Sequence, residues 1–296
     1  MNKIIVIAGP TAVGKTKLSI ELAKKYHGEI INADAVQVYK GLNIGSAKVT
    51  EEEKENIPHH LFDIKEVDEE YTIYHYQKDC RKKIEEIISR GNTPILVGGT
   101  GLYIKSALYD YKLTEEKETN TYDNLTNEEL YNTLLQLDKD IIIDKNNRRR
   151  LIRAINYHKE NQKSINTNKT NKLLYDCIFI GLTTQRNILY DKINNRVDEM
   201  ITNGLLEEVK SFYEKNIRTK PLLNAIGYKE LYSYLDKNIT LEEAVDKIKQ
   251  DSRHYAKRQY TFFNHQLPVV WFETDYNNFN NTIKEVEKYL ENTWKK

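Results

Sequence analysis

The chain has 296 residues, 39% of them hydrophobic and 30% charged, with a formal net charge of +1 at pH 7. That length holds one large α/β domain carrying a smaller appended or inserted one, and the composition is that of a globular enzyme. No apolar run approaches the ~20 residues that cross a bilayer, and the two cysteines lack the spacing of a disulfide framework or a structural zinc.

The opening MNKIIVIAG runs straight into fold, so a cytoplasmic location is expected. Its β-branched run is closed by Gly9 and Pro10 and suits a buried parallel strand. Gly9, Pro10, Thr11, Ala12, Val13, Gly14, Lys15 and Thr16 then fit the phosphate loop G-x-x-x-x-G-K-[ST] without a mismatch. The glycines let backbone N–H groups converge on phosphate oxygens, the following helix adds its positive end, Lys15 adds a full charge, and the Thr16 hydroxyl suits Mg²⁺. KTKLSIELAKKY continues as that helix, and GEIINAD is a second strand ending at Asp34.

An aspartate just past a strand serves as a turn or cap residue or faces the ligand crevice of an open sheet. Here Gln37 and Tyr39 follow closely and have the groups to hydrogen-bond and stack on a base. In HLFDIKE, Asp63 follows only two apolar residues and reads as a turn residue before a metal-holding one. YTIYHYQKDCRKKIEEIISRG is an amphipathic helix closed by Gly91, TPILVGGTG a third strand, and LYIKSALYDY a helix. A hydrolase would end such a strand in Asp, whereas this one ends in Gly98, Gly99 and Thr100, so the loop serves phosphate binding without hydrolysis.

From about 113 to 172 only helical or polar stretches follow: NEELYNTLLQLD, RRRLIRAINYHK, and an Asn-rich run, ENQKSINTNKTNK, expected as a mobile loop. CIFIGL restores a strand, helices resume, and VVWF precedes a last helix. The predicted architecture is α/β, a P-loop-type parallel sheet flanked by helices, with residues 1–112 and 173–296 as the core and 113–172 as a helical insertion. Basic residues gather on two predicted helices: Lys145, Arg148, Arg149, Arg150 and Arg153, then Arg253, His254, Lys257 and Arg258. Such groups are solvated faces or the footprint of a polyanion.

Taken in order and spacing, GPTAVGKT, NADAVQVYKGLNIGSAK, PHHLFDI, VGGTGLY, NNRRRLIRAI, AIGYKE and YAKRQYTFF resemble the tRNA dimethylallyltransferases, or tRNA isopentenyltransferases, over about residues 3 to 272. The resemblance implies transfer of a dimethylallyl group from dimethylallyl diphosphate to the exocyclic amine of the adenosine next to the anticodon, tRNA position 37. It implies that residues 9 to 16 hold the leaving diphosphate with Mg²⁺ at Thr16, and that Lys15 and Arg196 stabilise its charge. Asp34 would take the amine proton, Thr100 would share that pocket, and Ala35, Val36 and Gln37 would meet the flipped adenine. Arg149, Arg150, Arg153, Arg253, Lys257 and Arg258 would contact the anticodon stem-loop, and the enzyme would act as a monomer.

Some positions depart from the family pattern. Ala35 stands for a usual Ser, Ser46 and Ser252 for Thr, Phe262 for Trp, Asn264 for Arg and Asn156 for Glu, and an expected arginine near Tyr122 and Asp123 is missing. Other readings stay open. They are a small-molecule kinase with Arg148 to Arg150 as its lid, a prenyltransferase of free adenine nucleotides, and a nucleic-acid-binding protein with a vestigial loop.

Overall fold

A computed structural model describes residues 3–111, 113, 122–165 and 169–294. The chain divides into two units, Met1–Leu108 with Tyr175–Lys296, and Tyr109–Leu174.

The first unit is built on six parallel strands: β1 (Ile4–Ala8), β2 (Gly28–Asn32), β3 (His59–His60), β4 (Thr93–Val97), β7 (Cys177–Thr183) and β8 (Val270–Glu273), ordered β3-β2-β4-β1-β7-β8. Every residue of β1 is buried, as expected of a strand covered on both faces. The helices of this unit are α1 (Lys15–Tyr26), α2 (Ile73–Ser89), α3 (Gly101–Leu108) and, after β7, α6 (Arg186–Thr202), α7 (Leu205–Tyr213), α8 (Lys220–Asn224), α9 (Tyr228–Leu235), α10 (Leu241–Gln266) and α11 (Phe279–Trp294). Val13, Leu18 and Leu22 from the phosphate loop and α1 join Ile5, Ile7, Ile180 and Leu182 of the sheet in one apolar core, which Val286 and Leu290 of α11 complete.

Chain direction places the ligand crevice. From β1 the chain crosses to β2 on one side, and from β4, the neighbour of β1, it leads on to β7 on the other. The loops after β1 and β4 therefore diverge, and the crevice opens outside the carboxyl ends of these two strands. The phosphate loop follows β1, and Gly98, Gly99 and Thr100 follow β4.

The second unit holds α4 (Asn127–Leu137), α5 (Arg148–Asn161) and an antiparallel pair, β5 (Tyr109–Tyr111) with β6 (Lys169–Leu173). Leu130, Leu134, Leu151 and Ile155 form its own small core. Thr126 opens α4 with a capping box to Glu129, and the Asn147 side chain accepts from the Arg150 N–H to open α5. Two expectations change here. The stretch read as a helix through Tyr111 ends at Leu108, and part of the Asn-rich run expected as a mobile loop is strand β6. Residues 166–168 of that run and the acidic 114–121 lie outside the described residues. The strands were hidden because each is short, and Asn and Lys are poor strand formers that only the cross-strand ladder holds extended.

Candidate active site

A cavity of about 800 Å³ opens at the predicted crevice, lined by Thr11 to Thr16, by Asp34 to Gln37 and by Gly98 to Thr100. The phosphate loop takes the shape its sequence demands. Gly14 sits at φ +90°, a left-handed conformation, and a Cβ there would stand 2.5 Å from the Phe279 ring. Outside the loop, the Thr274 hydroxyl donates to the Val13 carbonyl (3.0 Å) and the Tyr276 hydroxyl to that of Ala12 (3.1 Å).

Lys15 is half-buried, and its ammonium donates to the Gly9 carbonyl (3.0 Å) and the Pro10 carbonyl (2.5 Å) of its own loop. Burial, with Arg196 nearby, pushes its pKa down to about 7 against a smaller opposing pull from Asp34. Arg196, from α6, donates to the Thr11 hydroxyl (3.2 Å), and burial lowers its pKa too. Two cations held close in a poorly solvated cleft, with only the Asp34 carboxylate set against both, form a site for an anion. Thr16 is exposed at the first turn of α1. No group of three or more His, Cys, Asp or Glu side chains able to hold a metal occurs among the described residues. The exposed Thr16 hydroxyl, beside a phosphate loop, is a donor of the kind that suits Mg²⁺, a reluctantly dehydrated ion held by few protein oxygens together with phosphate and water.

Asp34 lies just past β2. Asn32 shapes the turn, accepting from the Asp34 N–H (2.9 Å) and donating to the carbonyls of Asp34 (3.1 Å) and Leu61 (3.0 Å). One Asp34 oxygen accepts from the N–H groups of Val36 (2.8 Å) and Gln37 (3.4 Å), which makes Asp34 a turn residue, while the other accepts no hydrogen bond among the described residues. The Thr100 hydroxyl accepts from the Ala35 N–H (3.2 Å), and the Thr100 N–H donates to the Ala33 carbonyl (3.1 Å). These two bonds stitch the ends of β2 and β4 together.

The sequence matches the IPP transferase family profile over residues 37–266. The chain belongs to the IPP transferase family. It is 48% identical to a tRNA dimethylallyltransferase of Anoxybacillus flavithermus over 98% of this chain and 96% of that one. Its fold is similar to the crystal structure of the full-length tRNA isopentenylpyrophosphate transferase of Bacillus halodurans, with a TM-score of 0.77 and 40% identity over 99% of this chain and 96% of that one. It is also similar to a eukaryotic dimethylallyltransferase solved acting on tRNA, with a TM-score of 0.89 and 31% identity over 99% of this chain and 79% of that one.

Within this member of the family, some sequence-predicted residues take other places. Tyr39 does not reach the cavity: it is buried in the core at 6% exposure. The Gln37 side-chain N–H₂ group is engaged by the Ser46 (2.9 Å) and Ala47 (3.3 Å) carbonyls. Asp63 is ion-paired with Lys48 and stays a turn residue. Arg148, the first residue of the lid in the kinase reading, donates to the Leu125 (2.5 Å) and Tyr122 (2.6 Å) carbonyls and so braces the second unit. Arg149 and Arg150 are exposed, and Arg153 is half-buried. Arg253 donates to Asn194 (2.6 Å) and so ties α10 to α6, whereas Lys257 and Arg258 are exposed. No helix among the described residues is long and apolar enough to cross a membrane.

Two residues lining the cavity were not singled out from the sequence. Gln259 of α10, only 5% exposed, accepts from the Thr11 N–H (3.2 Å) and donates to the Gly99 carbonyl (3.0 Å), bridging the loops after β1 and β4. Tyr255, one turn earlier, hydrogen-bonds with Thr100 and Gln259, and burial together with the Asp34 charge pushes its pKa up to about 12. Their spacing in YAKRQYTFF, with Phe262 another three on, marks one helix face and was the available signal.

Proposed function

We propose that this protein transfers the dimethylallyl group of dimethylallyl diphosphate to the exocyclic amine of the adenosine next to the anticodon of tRNA, acting as a monomer. The carrying observation is that one cavity is lined both by a cation-rich phosphate loop and by Asp34 and Thr100. Membership of the IPP transferase family supports the same reaction.

The chemistry follows from the arrangement. The allylic C–O bond breaks and a C–N bond forms to the adenine amine, while negative charge grows on the departing diphosphate. Lys15, Arg196 and the loop amides stand where that charge develops, so they stabilise the transition state more than the ground state. Mg²⁺ held at Thr16 would add further positive charge to the diphosphate when bound. The amine is a weak nucleophile because its lone pair is delocalised into the purine, and it gains strength as its proton passes to the unengaged Asp34 oxygen. The Val36 and Gln37 N–H groups hold that carboxylate in place, and Asn32 fixes the Asp34 backbone beneath it. Thr100 and the strand-end backbone at Ala35 and Val36 border the same space and would contact a base flipped out of the anticodon loop, where stacking losses are smallest.

In this reading each unit carries phosphate contacts of its own: Arg149, Arg150 and Arg153 in the second unit, and Arg253, Lys257 and Arg258 on α10 of the first. Such contacts position RNA without reading its sequence. The test incubates the protein with dimethylallyl diphosphate, Mg²⁺ and an unmodified anticodon stem-loop. The expected result is a mass gain of one prenyl group on the target adenosine, with diphosphate released. Phosphorylated product from ATP and no prenyl gain would return the kinase reading, and prenylation of free adenine nucleotides alone would overturn the tRNA acceptor.

A further inference from the structure

Behind one wall of the cavity, a single carboxylate gathers four hydrogen-bond donors. Glu208 of α7 accepts at one oxygen from the N–H groups of Asn43 (3.1 Å) and Ile44 (2.8 Å), and at the other from the Gly45 N–H (3.2 Å) and the Tyr228 hydroxyl (2.5 Å). We propose that Glu208, seated by Tyr228, is a positioning residue for the acceptor-side wall formed by residues 45–47.

Gly45, Ser46 and Ala47 line the cavity, while Glu208 and Tyr228 do not. From this anchored segment the hydrogen bonds lead inward. The Ser46 and Ala47 carbonyls hold the Gln37 side chain, and Gln37 belongs to the turn that Asp34 organises. The seat is fitted closely: Tyr228 is fully buried, and a Cβ on Gly45 would stand 2.5 Å from its ring. Three consecutive backbone N–H groups converging on one carboxylate form an anion nest filled from within the protein, and charge-assisted bonds of this kind are the strong ones. The phosphate loop has supports of its own in Thr274, Tyr276 and Gln259, whose partners are Val13, Ala12, Thr11 and Gly99 rather than residues 43–47. A fault at Glu208 therefore loosens one wall and leaves the phosphate loop in place.

The inference rests on the prenyl-transfer reading, and Glu208→Gln tests it. Each Glu208 oxygen faces two donors, so either orientation of the amide sets an N–H₂ group against donors while volume is unchanged. We expect the KM for the stem-loop to rise on the order of tenfold, the worth of a lost charge-assisted bond, with kcat lowered less than about threefold. The Kd for dimethylallyl diphosphate, from calorimetry, stays within about twofold because the phosphate loop keeps its own supports. Tyr228→Phe removes one neutral donor, keeps the packing, and raises the stem-loop KM about fivefold; it carries the test if Glu208→Gln fails to fold. Equal weakening of both substrates, or an unchanged stem-loop KM, overturns the proposal. Stem-loop Kd is measured in parallel. A wild-type protein that binds both substrates but transfers nothing sinks the reaction reading, while the binding ratios still decide Glu208.

Discussion

Lys15 shows how the fold makes a charge conditional. In the unfolded chain it keeps its proton up to its ordinary value of 10.5, and in the fold it sheds it near 7. Between those values the unfolded state binds more protons, so stability rises with pH across that window, and below it the buried charge weighs on the fold in full. An anionic diphosphate reverses the preference by favouring the ammonium. Near pH 8, binding of dimethylallyl diphosphate is therefore expected to take up protons, and affinity to fall as pH rises above about 7. Calorimetry in buffers of different ionisation heat measures this uptake, and Lys15→Met should abolish it; equal uptake in the variant would sink the assignment. Asp34→Asn keeps an acceptor for the Val36 N–H but cannot take a proton. Transfer is expected to fall on the order of 10²- to 10⁴-fold with stem-loop affinity nearly unchanged. A variant with full activity would remove Asp34 as the base.

At the scale of elements, α10 couples the two sides of the site. Its 26 residues follow a Thr240 capping box and end at Gln266, and the sequence marks a basic helix within it around Arg253 to Arg258. That Gln259 would face inward, and bridge Thr11 to Gly99, was not plain, because the partners are 248 and 160 residues away. The bridge also explains the second glycine of VGGTG: a Cβ on Gly99 would stand 2.0 Å from the Gln259 side-chain nitrogen. Gly99→Ala is expected to cost about 1–3 kcal/mol by overpacking, read from urea unfolding. A change within about 0.5 kcal/mol would mean the bridge yields without loss.

For the whole molecule, near-neutral net charge conceals local concentration. Arg149 and Arg150 are exposed on α5, while Arg148 beside them is spent on the Tyr122 and Leu125 carbonyls. Arg149→Ala and Arg150→Ala should each lower the slope of log affinity against log salt for the stem-loop by about one. Arg148→Ala should leave that slope alone and lower thermal stability, since it strips a donor from two carbonyls. A slope that responds to Arg148 and ignores its neighbours would reverse these roles.

The phosphate loop, the α/β alternation and the Asp34 and Thr100 positions were legible in the residues alone, because each depends on contacts within one strand–turn–helix unit. Local stereochemistry dictates such units: glycine at φ +90°, β-branched runs for buried strands, and helical spacing for the flanking helices. Which surfaces meet was decided only by the tertiary structure. It turned Arg148 inward, buried Tyr39, paired β5 with β6, and brought Glu208, Tyr255 and Gln259 around the site. The physical reason is range: a polar side chain's partner is set by packing across tens to hundreds of residues, and no periodicity in the chain records it.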